Sequence, residues 1–286
     1  MQIQAALDAA GAGETVWLLP GTYNVTATLT QGASTILRGF GWSTIVDVGG
    51  VAAADNAITM GASGEVRDLK IVGDVSVLET EGRALQAANN AVIDTVWISN
   101  NNYGMSAVGC TTVTISNVRF DNILGVNGWG ACVHSGAGTD GVIIDGITVT
   151  DCDRGIETEN GAQNVTASNG TMVRVAASPY SFTLDAHTHL GLGQVDTVTY
   201  ENFTLTECMP ITALGVNPAE RTQNVTFRNI VIVDPNLTGS LAYAVVLTRA
   251  DHITIDGITI SGIGAGDALS NTDTTDVTGL GTIQVI

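Results

Sequence analysis

Short runs in which apolar and polar residues strictly alternate recur along most of the chain, and each is interrupted once before it resumes. In one copy Val113 and Ile115 precede a break at Asn117, and Val118 and Phe120 follow it. Val142, Ile144, Gly146, Ile147 and Val149 repeat the arrangement, as do Val198, Tyr200, Asn202, Phe203 and Leu205. Two more copies run over 225–232 around Asn229 and 253–260 around Gly257, with weaker ones at Leu69, Val96 and Gly170. With the residue after the break as anchor, the copies fall at 69, 96, 118, 147, 170, 203, 230 and 258, spaced 22 to 33 residues apart. Alternation on both sides of a break predicts two short strands meeting at a sharp bend. Asn or Gly there tolerates the left-handed backbone that such a bend requires.

A third strand precedes most copies, at 104–107, 155–158, 182–184 and 211–213. Three short strands per turn at this period predict an all-β fold, a right-handed single-stranded parallel β-helix of about nine or ten rungs. At ~4.8 Å per rung the rod is about 45 Å long. A β-sandwich would need antiparallel hairpins, yet no regular Asn-Gly two-residue turns separate the strands. Residues 1–12 read as a short helix capping the open end, with Ile3 and Leu7 on one face and Gly11 as its stop. Rungs are expected over 15–263, a loop rich in Gly, Asp and Thr over 264–281 and a final strand over 282–286, all in one domain. No polar cap follows Ile286, so that end is expected to meet another domain or subunit, as part of an oligomer or larger assembly.

Cys152 and Cys208 each lie five residues past an anchor and share a column, with the rung of Gly170 between them. That separation, ~9.6 Å, is beyond disulfide reach, so both are expected to be buried free thiols. The pattern does not place Cys110 and Cys132.

Composition narrows the partners. Ten basic residues against 28 acidic ones give a net charge of −18, which excludes a nucleic-acid footprint. Hydrophobic residues at 44% can fill a core, and charged residues at only 13% argue against disorder. No apolar run approaches the ~18 residues of a membrane span, so no membrane insertion is expected. Lys70 is the one lysine, and 19 of the acids are Asp. Such a surface suits very salty water, while a GC-rich genome would also favour Arg over Lys. Met1 is followed by neither a basic nor an apolar leader region, which points to another route to its destination, as virion parts take, or to a leader that was removed or lies outside this sequence.

The run from Ile3 to Ala10, then Pro20-Gly21-Thr22-Tyr23, then Leu37-Arg38-Gly39-Phe40-Gly41, resembles the opening of the pectate-lyase-like superfamily. That superfamily includes pectate lyases, mannuronan C5-epimerases and many phage tailspikes. The resemblance implies the β-helix fold over nearly the whole chain and marks no single activity.

In such a fold, chemistry must come from outward side chains stacked across rungs. Read in register, the third strands place Ser106, His134, Glu157, Thr183 and Thr212 in one column, and Glu159 beside Asp185 in the next. The stretch from Tyr180 through Asp185 and His187 to His189 leads into a loop within the longest repeat, 33 residues. Arg154 precedes the strand of Glu157, and Arg174 follows in the same rung. Acids, bases and cations converge only here. Glu159 and Asp185 one rung apart would repel, so that one proton is held more tightly than usual, and a histidine nearby titrates near neutral pH. Such a set can abstract the C5 proton of a uronic acid, with Arg neutralising the sugar carboxylate and Tyr or His as acid. Carboxylates one rung apart also approach the ~5–5.5 Å of retaining glycosidases. The plain alternative is a solvated polar face, which every β-helix needs. Candidate catalytic residues are therefore Asp185, His187, Glu157, Glu159, Tyr180 and Arg154. Candidate substrate-binding residues are His134, Thr183, His189 and Arg174.

Asp185-Ala186-His187 with Tyr180 upstream is similar to the Tyr…Asp-Pro-His motif of mannuronan C5-epimerases. Here Ala186 replaces the proline, and the tyrosine stands five residues before the aspartate where the family has three. The resemblance implies catalytic roles for Asp185 and His187, with the family's arginine open between Arg154 and Arg174. The signatures of polygalacturonases, pectate lyases and calcium-binding Gly-Gly-x-Gly-x-Asp repeats are missing. His187 and His189 with Asp185 or Glu159 offer donors suited to zinc or manganese. An exposed His-x-His in a loop is more often no site, so neither metal nor cofactor is expected.

Three readings follow. The first is a glycan-engaging β-helix of a virion or cell-surface appendage, a spike or decoration whose partner is a polysaccharide or glycoprotein glycan. The second is a secreted polysaccharide lyase or C5-epimerase acting by proton abstraction, or a glycoside hydrolase. The third is a purely structural virion rod.

Overall fold

The computed structural model describes residues 2–78, 82–175, 182–189, 191–237 and 243–286. These form an all-β parallel solenoid of about nine turns behind one short helix. Among the described residues fourteen strands join in one sheet and ten in a second, and every pair of these strands is parallel.

The expected bend is present in all eight copies. Asp68, Thr95, Asn117, Gly146, Asn169, Asn202, Asn229 and Gly257 have φ between 50° and 74°. Each bend therefore joins two half-strands into one long, kinked strand, such as Thr111–Ile123, Asp140–Cys152, Gln163–Val175 and Asp196–Thr206. The anchors stack as read: Leu69 on Val96, then Val118, Ile147, Gly170, Phe203, Ile230 and Ile258 in turn. Asn is favoured at the bend for a second reason. Asn229 donates to Asn202 Oδ1 and Asn202 to Asn169 Oδ1, both at 3.2 Å, so the amides form a ladder along the rod.

Inward residues of both sheets merge into one continuous apolar core. Gly170 is the weak copy because its neighbour fills the space: a Cβ there would stand 2.1 Å from the Phe203 ring and 2.8 Å from Ile147. Tyr200 and Phe227 stack one rung apart at 5.7 Å, and the Tyr200 hydroxyl donates to the Asp185 carbonyl at 2.7 Å.

The helix Gln2–Ala9 buries Ile3 and Leu7 against the first turns. Gln4 uses its side-chain amide as a strand would, accepting from Thr30 N at 2.8 Å and donating to Thr30 O at 3.0 Å, which closes an otherwise open edge. The far end differs from expectation. Within 264–281 lie two strands, Leu269–Thr272 and Thr275–Thr278, because Leu269 and Val277 pack on the core and extend the two ladders. The last strand, Ile283–Val285, pairs with Ile258–Ile260.

All four cysteines are free and buried. Val175 stands between the predicted pair: it is the register partner of Cys152, and its carbonyl accepts from Met209, the neighbour of Cys208. Burial pushes the Cys208 thiol up to about 11, as suits an apolar filler.

The shorter sheet corrects one alignment. Its strand is Leu184–His187, and Leu184 pairs with Ile156 and Ile211, so Asp185 stands between Glu157 and Thr212. The predicted column had Thr183 in that place. A slip of two residues keeps every side chain on its own face, so the hydrophobic pattern is blind to it.

Candidate functional site

Three adjacent strands of the shorter sheet, Ala131–Ser135, Arg154–Glu159 and Leu184–His187, carry the polar cluster on their outer face. In register, His134 lies beside Glu157, Glu157 beside Asp185, and Glu159 beside His187. Glu159 is the hub. Its Oε1 meets His134 Nε2 at 2.8 Å, and its Oε2 meets His187 Nε2 at 3.1 Å and His189 Nε2 at 3.2 Å. The two Nε2 atoms of His187 and His189 are themselves 2.7 Å apart, with the rings edge to face. On its other side His187 donates from Nδ1 to Asp185 Oδ2, and the Thr212 hydroxyl donates to Asp185 Oδ1. Arg154 donates to Glu157, both side chains being 5% exposed.

Burial works against charge on His187, but Asp185 and Glu159 win and push its pKa up to about 10, with Glu157 adding to the effect. Glu159 is likewise opposed by burial, and the bonds from His134 and His187 hold it well below the usual carboxylate range. At neutral pH the centre thus holds an imidazolium clamped between carboxylates. In that form His187 can donate a proton.

A cleft of about 280 Å³ opens beside this cluster, lined by Trp129, Arg154, Phe182, His187, His189 and Leu214 among others. Trp129 owes its position to a pinched loop. Gly125 and Gly130 approach so closely that a Cβ on Gly130 would stand 2.5 Å from Gly125 N. The buried Asp153 carboxylate accepts from both their N–H groups, at 2.7 and 3.3 Å, and fixes the loop ends. The Trp129 indole, 42% exposed, is left over the Arg154 guanidinium at 4.6 Å.

Asp185, His187, Glu157, Glu159, Arg154, His134 and His189 are therefore brought together. Four expectations fail or fall elsewhere. Thr183 is buried below the face and donates to Met209 O. Arg174 lies away from the cluster because its half of the long strand faces another groove, where it pairs with Asp151 at 2.5 Å. Tyr180 lies outside the described residues. The expected Glu159–Asp185 adjacency is replaced by Glu157–Asp185, the consequence of the two-residue slip. Trp129 and Phe182 were not singled out by sequence. The signal for Trp129 was present in the run Gly125, Gly128, Gly130 around a tryptophan, which is turn chemistry presenting an aromatic.

No protein-family model and no curated protein sequence matches this chain. Its fold is similar to that of several solved structures. The Streptococcus pneumoniae surface protein and adhesin PfbA shares 13% identity, with 99% of this chain and 95% of that one covered at a TM-score of 0.59. An alginate lyase from Paenibacillus sp. str. FPU-7 shares 15%, with 98% and 95% covered at 0.62. A tailspike protein mutant of E. coli bacteriophage HK620, in complex with pentasaccharide, shares 10%, with 99% and 62% covered at 0.66. At these identities the likeness defines the class by architecture alone: a parallel β-helix.

Proposed function

We propose that this chain is a glycan-engaging β-helix protein acting outside the cell, as a spike or decoration of a virion or cell-surface appendage. One observation carries the reading. The place where carboxylates and imidazoles interlock opens onto a cleft with exposed Trp129 on its wall. Pockets that combine an apolar wall with a few convergent polar groups suit ligands such as sugars, whose C–H faces pack on indole while their hydroxyls bond outward. The similar folds lend support, since one is an alginate lyase, one a tailspike holding a pentasaccharide and one an adhesin.

A second reading, lyase or epimerase chemistry by proton abstraction, is favoured by the contact of Asp185 and Glu159 with His187, which lines the cleft. Against it, Arg154 is already neutralised by Glu157, and a chain at −18 repels polyuronans unless salt screens the field. The test is a polysaccharide panel at low and molar salt, scored for binding, new unsaturated ends, new reducing ends and C5 proton exchange. At least one glycan should bind the wild type, and Trp129→Ala should weaken that binding by about tenfold or more. Turnover lost in an Asp185→Ala, His187→Ala variant would establish the second reading. A folded protein that binds nothing at either salt would leave the structural rod.

A further inference from the structure

We propose that Glu159, His187 and His189 form a site for a zinc-class divalent ion, with its open coordination position facing the cleft. The sequence alone did not favour this. What changes the balance is the convergence of three donor atoms of the right kinds. Glu159 Oε2, His187 Nε2 and His189 Nε2 lie 2.7 to 3.2 Å from one another. Tetrahedral coordination at bonds of ~2.0–2.1 Å needs ligand atoms about 3.3 Å apart, so a separation by a few tenths of an ångström admits the ion.

The independent observation is what stands behind each donor. A histidine that ligates through Nε2 gives up the proton there to solvent as the ion binds and needs its Nδ1–H held, and Asp185 does this for His187 from a fully buried position, itself held by Thr212. The other oxygen of Glu159 is held by His134 at 2.8 Å. The backbone N–H of His189 donates to Asn160 Oδ1 at 3.3 Å, which anchors the loop. Carboxylate and imidazole together suit zinc better than calcium or magnesium, which prefer all-oxygen shells. Two histidines and one glutamate, three protein ligands rather than four, also match the composition of catalytic rather than closed structural zinc sites. His187 and His189 both line the cleft, so an oxygen of a bound ligand is the group the open position would take. The inference concerns the ion and stands whether or not the cleft takes a glycan.

The full chain, stripped with chelator, is titrated with Co2+ and then with Zn2+. One equivalent of Co2+ should bind with the intense visible bands of a tetrahedral site, and Zn2+ should displace it. His189 is half-exposed, so His189→Ala should remain folded by circular dichroism and lose at least tenfold in affinity. Asp185→Asn, an orienting change, should lose about 10- to 100-fold. The exposed His252 serves as control, and His252→Ala should leave binding unchanged. The proposal is overturned if the wild type shows no saturable Co2+ or Zn2+ binding. It is equally overturned if His187→Ala, His189→Ala binds as the wild type does, or if Ca2+ competes as well as Zn2+.

Discussion

The outer faces of the two sheets carry the same residue types in opposite circumstances. On the long sheet, Arg228 bridges Glu201 at 3.3 Å and Asp256 at 3.2 Å, all three side chains between 29% and 58% exposed. On the short sheet, Arg154 and Glu157 are 5% exposed, Asp185 is 2% exposed, and each has a fixed partner. A solvated ion pair contributes little to stability, because water already satisfies both charges. A desolvated one is held in place by its surroundings and becomes costly to break. The difference separates a polar surface from a candidate site. The largest test follows directly. Arg154→Leu strands Glu157 without its cation and should cost about 3–5 kcal/mol in denaturant melts, whereas Arg228→Ala should cost under about 1 kcal/mol. Equal losses would erase the distinction.

If outer charges matter so little on the long sheet, its stability must come from the inner stack. Gly170→Val probes that stack, since the new side chain enters space held by the Phe203 ring. Overpacking of this kind costs about 1–3 kcal/mol, and a compensating Phe203→Ala should recover part of it in the double variant. An additive double variant would mean that the two residues do not share that space.

The same contrast explains what could be read from sequence. On the long sheet each residue obeys one local rule, alternation plus a left-handed bend, so the register of all eight anchors was legible, down to the strained Thr95. On the short sheet the strands are only four to six residues long around the cluster, and Leu184 and Phe182 are equally good inward residues. Alternation then allows the two-residue slip that misplaced Thr183 and hid the Glu157–Asp185 contact. Arg174 failed for another reason: sharing a rung is not sharing a face, because the chain turns twice between Glu159 and Arg174. The partnership of Glu159 with three histidines depends on loop paths such as the one carrying His189, which no periodicity encodes.

The smallest expected effect has the sharpest sign. Asp94, on the long sheet, is opposed by some burial, but bonds from Ser116 and Asn117 and the charge of Arg67 lower its pKa. Asp153, behind the cleft loop, is raised because burial outweighs its bonds from Gly125 and Gly130. A lowered carboxyl contributes stability above the unfolded value of ~3.9 and loses it as pH falls through the folded value. A raised carboxyl does the reverse: its charge costs stability as pH climbs from ~3.9 through the folded value. Asp94→Asn should therefore weaken the protein most near pH 7, by under about 1 kcal/mol, and converge on the wild type toward pH 3. Asp153→Asn should gain on the wild type as pH rises over the same range, whatever its starting offset. Urea melts at pH 3, 5 and 7 give both slopes, and two slopes of the same sign would show that the two faces do not differ in solvation.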